Sequence, residues 1–114
     1  MAESPLMTKS KQLALDIIQL CKTIKSNSKE SVLTNQLLRS GTSIGANIRE
    51  AYYAHSKADF IAKLQIALKE CSESEYWIEL LIESDQCDAK SVLNNCSEVK
   101  RILIASINTA KNNS

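Results

Sequence analysis

Arg39-Ser40-Gly41-Thr42-Ser43-Ile44-Gly45-Ala46-Asn47-Ile48-Arg49-Glu50, followed after a short polar break by a long amphipathic run from Lys57 to Glu83, is the stretch whose reading decides the fold. From Phe60 the apolar and small residues Leu64, Ala67, Cys71, Ser74, Ile78 and Leu81 alternate steps of four and three without interruption. That spacing keeps one stripe of side chains on one face of an α-helix. A helix carrying it to Glu83 is about 40 Å long at ~1.5 Å per residue, and so needs partners of similar length, as in a bundle. The preceding segment repeats the spacing with Leu33, Leu37, Ser40, Ile44, Asn47 and Ala51. Two of these six positions are polar, so Ser40 and Asn47 are expected to find hydrogen-bond partners inside, pinning the register between helices. Gly41 and Gly45 share a face four residues apart. Their missing side chains let another backbone come close or let the helix bend, against a cost of roughly 1 kcal/mol each relative to alanine.

Working outward, Leu13, Ile17, Leu20 and Ile24 mark an earlier helix, with Ala14, Ile18 and Cys21 broadening its apolar arc. Ser4-Pro5 suits its start and Ser26-Asn27-Ser28 its end. Beyond the polar turn Gln86 to Ala89, the residues Val92, Cys96, Val99, Leu103, Ser106 and Ala110 mark a last helix. Ile102, Ile104 and Ile107 widen that arc to about half the circumference, more than one core needs. Ser56 is placed to cap the third helix, with Asp59 three residues on. The chain therefore reads as one all-α domain over residues 1–114, an antiparallel up-down-up-down four-helix bundle with helices at about 6–26, 30–54, 57–84 and 89–111. With two glycines and one proline in 114 residues, few turns can be built, which agrees with long regular elements.

The formal net charge of +1 excludes a polycation that coats nucleic acid indiscriminately. The charges are nevertheless segregated. Residues 1–69 hold ten Lys/Arg against five Asp/Glu, residues 70–88 hold seven acids and no base, and residues 89–114 hold four bases against one acid. Four cysteines, Cys21, Cys71, Cys87 and Cys96, form no Cys-x-x-Cys pair. They read as reduced thiols packed as small hydrophobes in a cytoplasmic protein. No apolar run reaches the ~18 residues of a membrane-spanning helix. There is no phosphate-cradling glycine loop, no Glu-x-x-His metal pair and no recognisable nucleophile motif, so no catalytic residue, metal site or cofactor is assigned.

Glu75, Glu79 and Glu83 stand in one line near a helix C-terminus, where like charges at i, i+4 and the helix dipole are both unfavourable. They form either a solvated acidic face or one that meets basic residues of a neighbouring subunit, such as Arg39, Arg49, Lys63 or Lys69. Trp77 and Tyr76 flank the inward stripe in the same region and suit a subunit interface. Tyr52, Tyr53 and Lys57, close to Arg49 and His55, could stack on a base while cations hold phosphate, making them candidate nucleic-acid contacts.

Taken together, Gln36-Leu37-Leu38-Arg39-Ser40, then Ser43-Ile44-x-x-Asn47-Ile48-x-Glu50, then Ser56-Lys57-x-x-Phe60 and Glu73-x-Glu75-Tyr76 resemble the four helix bundle protein family, also called 23S rRNA intervening-sequence proteins. The match covers roughly residues 30–83. It implies a bacterial protein whose protomers assemble into a homopentamer, and a similarity to the accessory variability determinant of diversity-generating retroelements, a basic pentamer that binds a reverse transcriptase and nucleic acid. Ser43, Asn47, Glu50, Glu73 and Tyr76 fall on the family's motif positions, with a structural role implied. Ala51 stands where many members carry glycine, which favours a longer second helix. The near-neutral charge departs from the basic retroelement proteins and weakens the phosphate-binding contribution. The expectation is thus a non-enzymatic homo-oligomeric scaffold that binds RNA, DNA or a reverse transcriptase-like protein. The alternatives are a regulatory protein–protein interaction module without nucleic-acid binding and, ranked after it, an enzyme using Asn47, Glu50 and Glu73.

Overall fold

The computed structural model describes residues 4–84 and 86–113, and among these every regular element is an α-helix. The four are α1 (Pro5–Ser28), α2 (Val32–Tyr52), α3 (Lys57–Glu83) and α4 (Lys90–Asn112). They pack as a bundle measuring 50 × 23 × 21 Å. Packing joins α1 to α2, α2 to α3, α3 to α4 and α4 back to α1, so α1 and α3 occupy opposite corners.

Local chemistry sets the helix ends. The Ser4 hydroxyl accepts the Met7 N–H at 3.1 Å ahead of Pro5 at the first helical position, where a missing N–H costs nothing. At the other end Lys29 takes the left-handed conformation, φ 62°, and its N–H closes on the Lys25 carbonyl. Ser26-Asn27-Ser28 therefore belongs to α1 and does not stop it. The left-handed residue after it does.

The start of α2 differs from the expected cap. Ser31 occupies the cap position without a side-chain bond, while the Glu30 carboxylate reaches over to accept the N–H groups of Leu33 at 2.7 Å and Thr34 at 3.0 Å. Although partial desolvation opposes it, these backbone bonds hold the Glu30 carboxyl below its ordinary pKa. Ser56 caps α3 by accepting the Asp59 N–H at 3.0 Å. At the other end α2 stops at Tyr52, and Ala54 to Ser56 form the break, so the helix does not run to residue 54.

The core runs the length of the bundle. Its largest fully buried side chains are Leu13, Ile17, Ile24, Leu37, Ile44, Ile48, Leu64, Ile78, Leu81 and Leu103. On α3 the buried set follows the four-three alternation from Leu64 to Leu81, with Phe60 half-buried. On α2 the buried arc is wider than one stripe, because this helix packs on both α1 and α3. Thr34, Gly41 and Ile48 join Leu37, Ser40, Ile44 and Ala51. Asn47, expected among the inward positions, lies only half-buried at the edge of that arc while its neighbour Ile48 is buried.

Cys21, Cys71 and Cys96 are buried and Cys87 is half-buried, all as free thiols. The Cys21 thiol, 3.5 Å from the Thr34 carbonyl, is pushed up to about 11 by burial. Cys71 is raised further, by its hydrogen bonding with Cys96 and by burial. Such thiols stay protonated near neutral pH, which fits packing rather than nucleophilic work.

Candidate functional site

The residues of the opening stretch divide between two seams. On the side toward α1, a Cβ placed on Gly41 would lie 2.5 Å from Cδ1 and 3.1 Å from Cγ2 of Ile17. Glycine here lets Ile17 fill the space between the two backbones. Gly45 is less constrained, its nearest would-be contact being the Ser10 hydroxyl at 3.5 Å. The close approach that glycine permits is thus used inside one protomer, between α1 and α2.

On the side toward α3, the Ser40 and Ser74 hydroxyls meet at 2.8 Å in the core. Ser40 also donates to the Leu37 carbonyl at 3.3 Å, which leaves its oxygen free to accept from Ser74. Serine at these two stripe positions is therefore a matched pair that fixes α2 against α3. Asn47 does not share this role: its side-chain N–H donates to the Ser43 carbonyl of its own helix at 2.9 Å. A polar residue at the margin of the arc was satisfied locally, so no interhelical partner was needed.

Outside that seam lies a polar cluster. Arg39 donates to Glu70 at 3.3 Å and to Glu73, and Glu73 also accepts the Trp77 indole N–H at 3.2 Å. Glu70 is 9% exposed, so Arg39 compensates a carboxylate that could not otherwise remain inside. About three turns further along α2, on the same face, Glu50 pairs with Lys63 at 3.2 Å. Of the motif positions, Asn47 bonds the Ser43 carbonyl, Glu50 pairs with Lys63 and Glu73 with Arg39, so they do not converge on a shared point. Tyr76 is exposed and leans on Trp77, ring centroids 5.3 Å apart.

The acidic line on α3 also divides. Glu75 turns toward α4, where it accepts Lys100 at 2.9 Å and the Ser97 hydroxyl at 2.6 Å. The pairing with Glu75 raises the Lys100 pKa against a smaller desolvation effect. Glu75 is therefore neither solvated nor free for a neighbouring subunit, and Arg39 and Lys63 are taken within the chain. Glu79 and Glu83 are exposed, and none of the ion pairs among the described residues involves them, nor Arg49 or Lys69.

Of the candidate nucleic-acid contacts, Tyr52 packs edge-on against Phe60 with centroids 5.6 Å apart, which commits one of its faces. Tyr53 is 79% exposed and Lys57 is exposed. Sequence reasoning missed an open groove of ≈ 430 Å³ between α1 and α2. Ala14, Gly45 and Ala46 line it with Met7, and Lys11, Thr42, Arg49 and Glu50 edge it. Its signal was present as small residues on two facing helices, but only the α1–α2 packing brings Lys11 opposite Arg49. Among the described residues no group of three His, Cys, Asp or Glu side chains is placed to hold a metal ion, and no helix is long and apolar enough to cross a membrane.

Fold and surface together define a small all-helical protein of four packed helices. The family is equally definite: the 23S rRNA-intervening sequence protein model matches residues 3–105, and the chain belongs to that family. A solved structure of a protein of unknown function from the S23 ribosomal protein family of Bacteroides thetaiotaomicron is 48% identical, with a TM-score of 0.88, covering 90% of this chain and 97% of that one. Comparison with curated proteins finds no match.

Proposed function

We propose that this protein is a non-enzymatic, homo-oligomeric cytoplasmic scaffold that binds a polyanionic macromolecule along its α1–α2 groove. The observation that carries the reading is the pair of cations, Lys11 and Arg49, that edge that groove and take part in none of the ion pairs among the described residues. Nearly every other charge near a helix seam is used internally. Tyr53, four residues beyond Arg49 and so on the same side of the helix end, supplies an uncommitted aromatic ring, with Lys57 in the following turn. The family's description names 23S rRNA, which makes RNA the polyanion to try first. A reverse transcriptase-like protein is the second kind of partner that the resemblance suggests.

The protomer is proposed to be an antiparallel up-down-up-down bundle. In support, contacts between neighbouring helices join rising numbers on one to falling numbers on the next: Ser10 with Gly45 and Ile17 with Gly41, then Ser40 with Ser74 and Glu50 with Lys63. Five protomers closing into a ring is the assembly that the resemblance favours. The residues considered for an unrecognised enzyme, Asn47, Glu50 and Glu73, are each committed to a different partner, which supports a binding role over catalysis.

The experiment is an RNA gel-shift series across salt. Affinity should fall steeply as salt rises, and Lys11→Ala/Arg49→Ala should weaken binding and flatten the salt slope by roughly the two lost phosphate contacts. Absence of binding at low salt removes the nucleic-acid reading and leaves a protein–protein module. Light scattering that gives a monomer at micromolar concentration removes the scaffold reading.

A further inference from the structure

The two ridges that the protomer leaves unused are complementary and lie on opposite corners of the bundle. Along α1 the outward ridge carries Leu15, 52% exposed, then half-buried Ile18 and exposed Lys22, and Lys29 follows at the helix end. Along α3 it carries Tyr76, 54% exposed, then Glu79 and Glu83. Lys22, Lys29, Glu79 and Glu83 take part in none of the ion pairs or side-chain hydrogen bonds among the described residues. From Leu15 and Tyr76 toward the helix C-termini, one ridge is thus apolar then basic, the other aromatic then acidic.

Their register matches as well. Gly41 sits against Ile17 and the adjacent Ser40 bonds Ser74, so Ile17 and Ser74 stand at one level along the bundle. From that level α1 and α3 advance in the same direction, since both pair with α2 in falling order. Lys22 lies five residues past Ile17 and Glu79 five past Ser74, each about 7.5 Å along at ~1.5 Å per residue. Glu83 and Lys29 follow within one further turn of each other, while Leu15 and Tyr76 lie about 6 Å apart in height on either side of the reference level.

We propose that the α3 ridge of one copy packs beside the α1 ridge of the next, Tyr76 against Leu15 and Ile18, with Glu79 and Glu83 facing Lys22 and Lys29. The two surfaces differ and face away from each other on one protomer, so the contact is a head-to-tail, heterologous one between copies whose helices run parallel. The acids carry the energetic logic. Left in a free monomer, two like charges one turn apart near a helix C-terminus are unfavourable, and facing lysines reverse that sign. This inference rests on the homo-oligomeric reading and adds to it which surfaces meet.

Charge reversal tests it. Lys22→Glu/Lys29→Glu and, separately, Glu79→Lys/Glu83→Lys should each lower the mass seen by sedimentation or light scattering toward the 12.6 kDa protomer, with helicity by circular dichroism unchanged. All four substitutions in one chain should restore the wild-type mass. Retention of the oligomer by both half-reversed variants, or failure of the four-fold variant to reassemble while folded, overturns the proposed contact and leaves the homo-oligomer standing. A monomeric wild-type protein at micromolar concentration removes both.

Discussion

The two seams that flank α2 solve the same packing problem by opposite means. Against α1 the helix removes a side chain: Gly41 yields its volume to Ile17, and at that level the two helices interlock by shape. Against α3, one residue earlier, it adds a polar group, and Ser40 meets Ser74 in a hydrogen bond that has to be aligned to exist. The first seam is intolerant of volume and indifferent to polarity. The second accepts small changes in volume and is sensitive to loss of a partner. Adjacent residues on one helix, about 100° apart around the axis, thereby answer to different neighbours and different physics.

The largest expected effect attacks the shape-based seam. Gly41→Leu drives four carbon atoms into Ile17 and should destabilise the fold by about 3 kcal/mol, at the upper end of overpacking costs. Urea denaturation measures it, and a loss below about 1 kcal/mol would mean that α1 can move away from α2. The polar seam should respond less. Ser74→Ala leaves Ser40 its bond to Leu37 and should cost about 1 kcal/mol. Adding Ser40→Ala should then cost less than it does alone, since the partner is already gone, and strict additivity in that double-mutant cycle would sink the idea of a matched pair.

Glu30→Gln sharpens the contrast from the end of the seam. It should cost about 1 kcal/mol at neutral pH by weakening the cap on the Leu33 and Thr34 N–H groups. The Glu30 carboxyl sits below its ordinary pKa, so its contribution is present above the unfolded value and is lost as pH falls through the folded value. The wild-type advantage over the Gln variant should therefore vanish on acidification, and a difference that does not change between pH 7 and pH 2 would contradict the cap. The smallest effect has the opposite sign. Gly45→Ala meets only ordinary contact at 3.5 Å and should stabilise by roughly 0.5–1 kcal/mol through helix propensity, visible as a higher Tm. If it destabilises, Gly45 packs as tightly as Gly41 and the asymmetry between the two glycines is gone.

Much of the fold was legible in the residues themselves. The uninterrupted four-three spacing from Phe60 to Leu81 could belong only to a long helix with one buried face, and the scarcity of glycine and proline left no other material for turns. The spaced residues from Gln36 to Tyr76 also carried the family. The surface was less legible. Asn47 looked inward because the stripe was drawn as a single line, whereas a helix with two neighbours buries a broad arc and pushes the nominal line to its margin. Glu75 looked like a member of an acidic row because spacing along one helix is visible and Lys100 and Ser97, on another, are not. The groove between Lys11 and Arg49 was hidden for the same reason, its two walls being 38 residues apart in the chain.

The sequence by itself determined four helices, their apolar faces and the family, because periodicity, caps and turn residues act over a few residues and need no partner. The tertiary structure alone decided what each neighbouring position meets. It gave Gly41 to α1 and Ser40 to α3, turned Glu75 to α4, and left Glu79 and Glu83 outside. Rotation about a helix axis is written in the sequence, but which helix stands in that direction, and at what height, is set only when all four pack together.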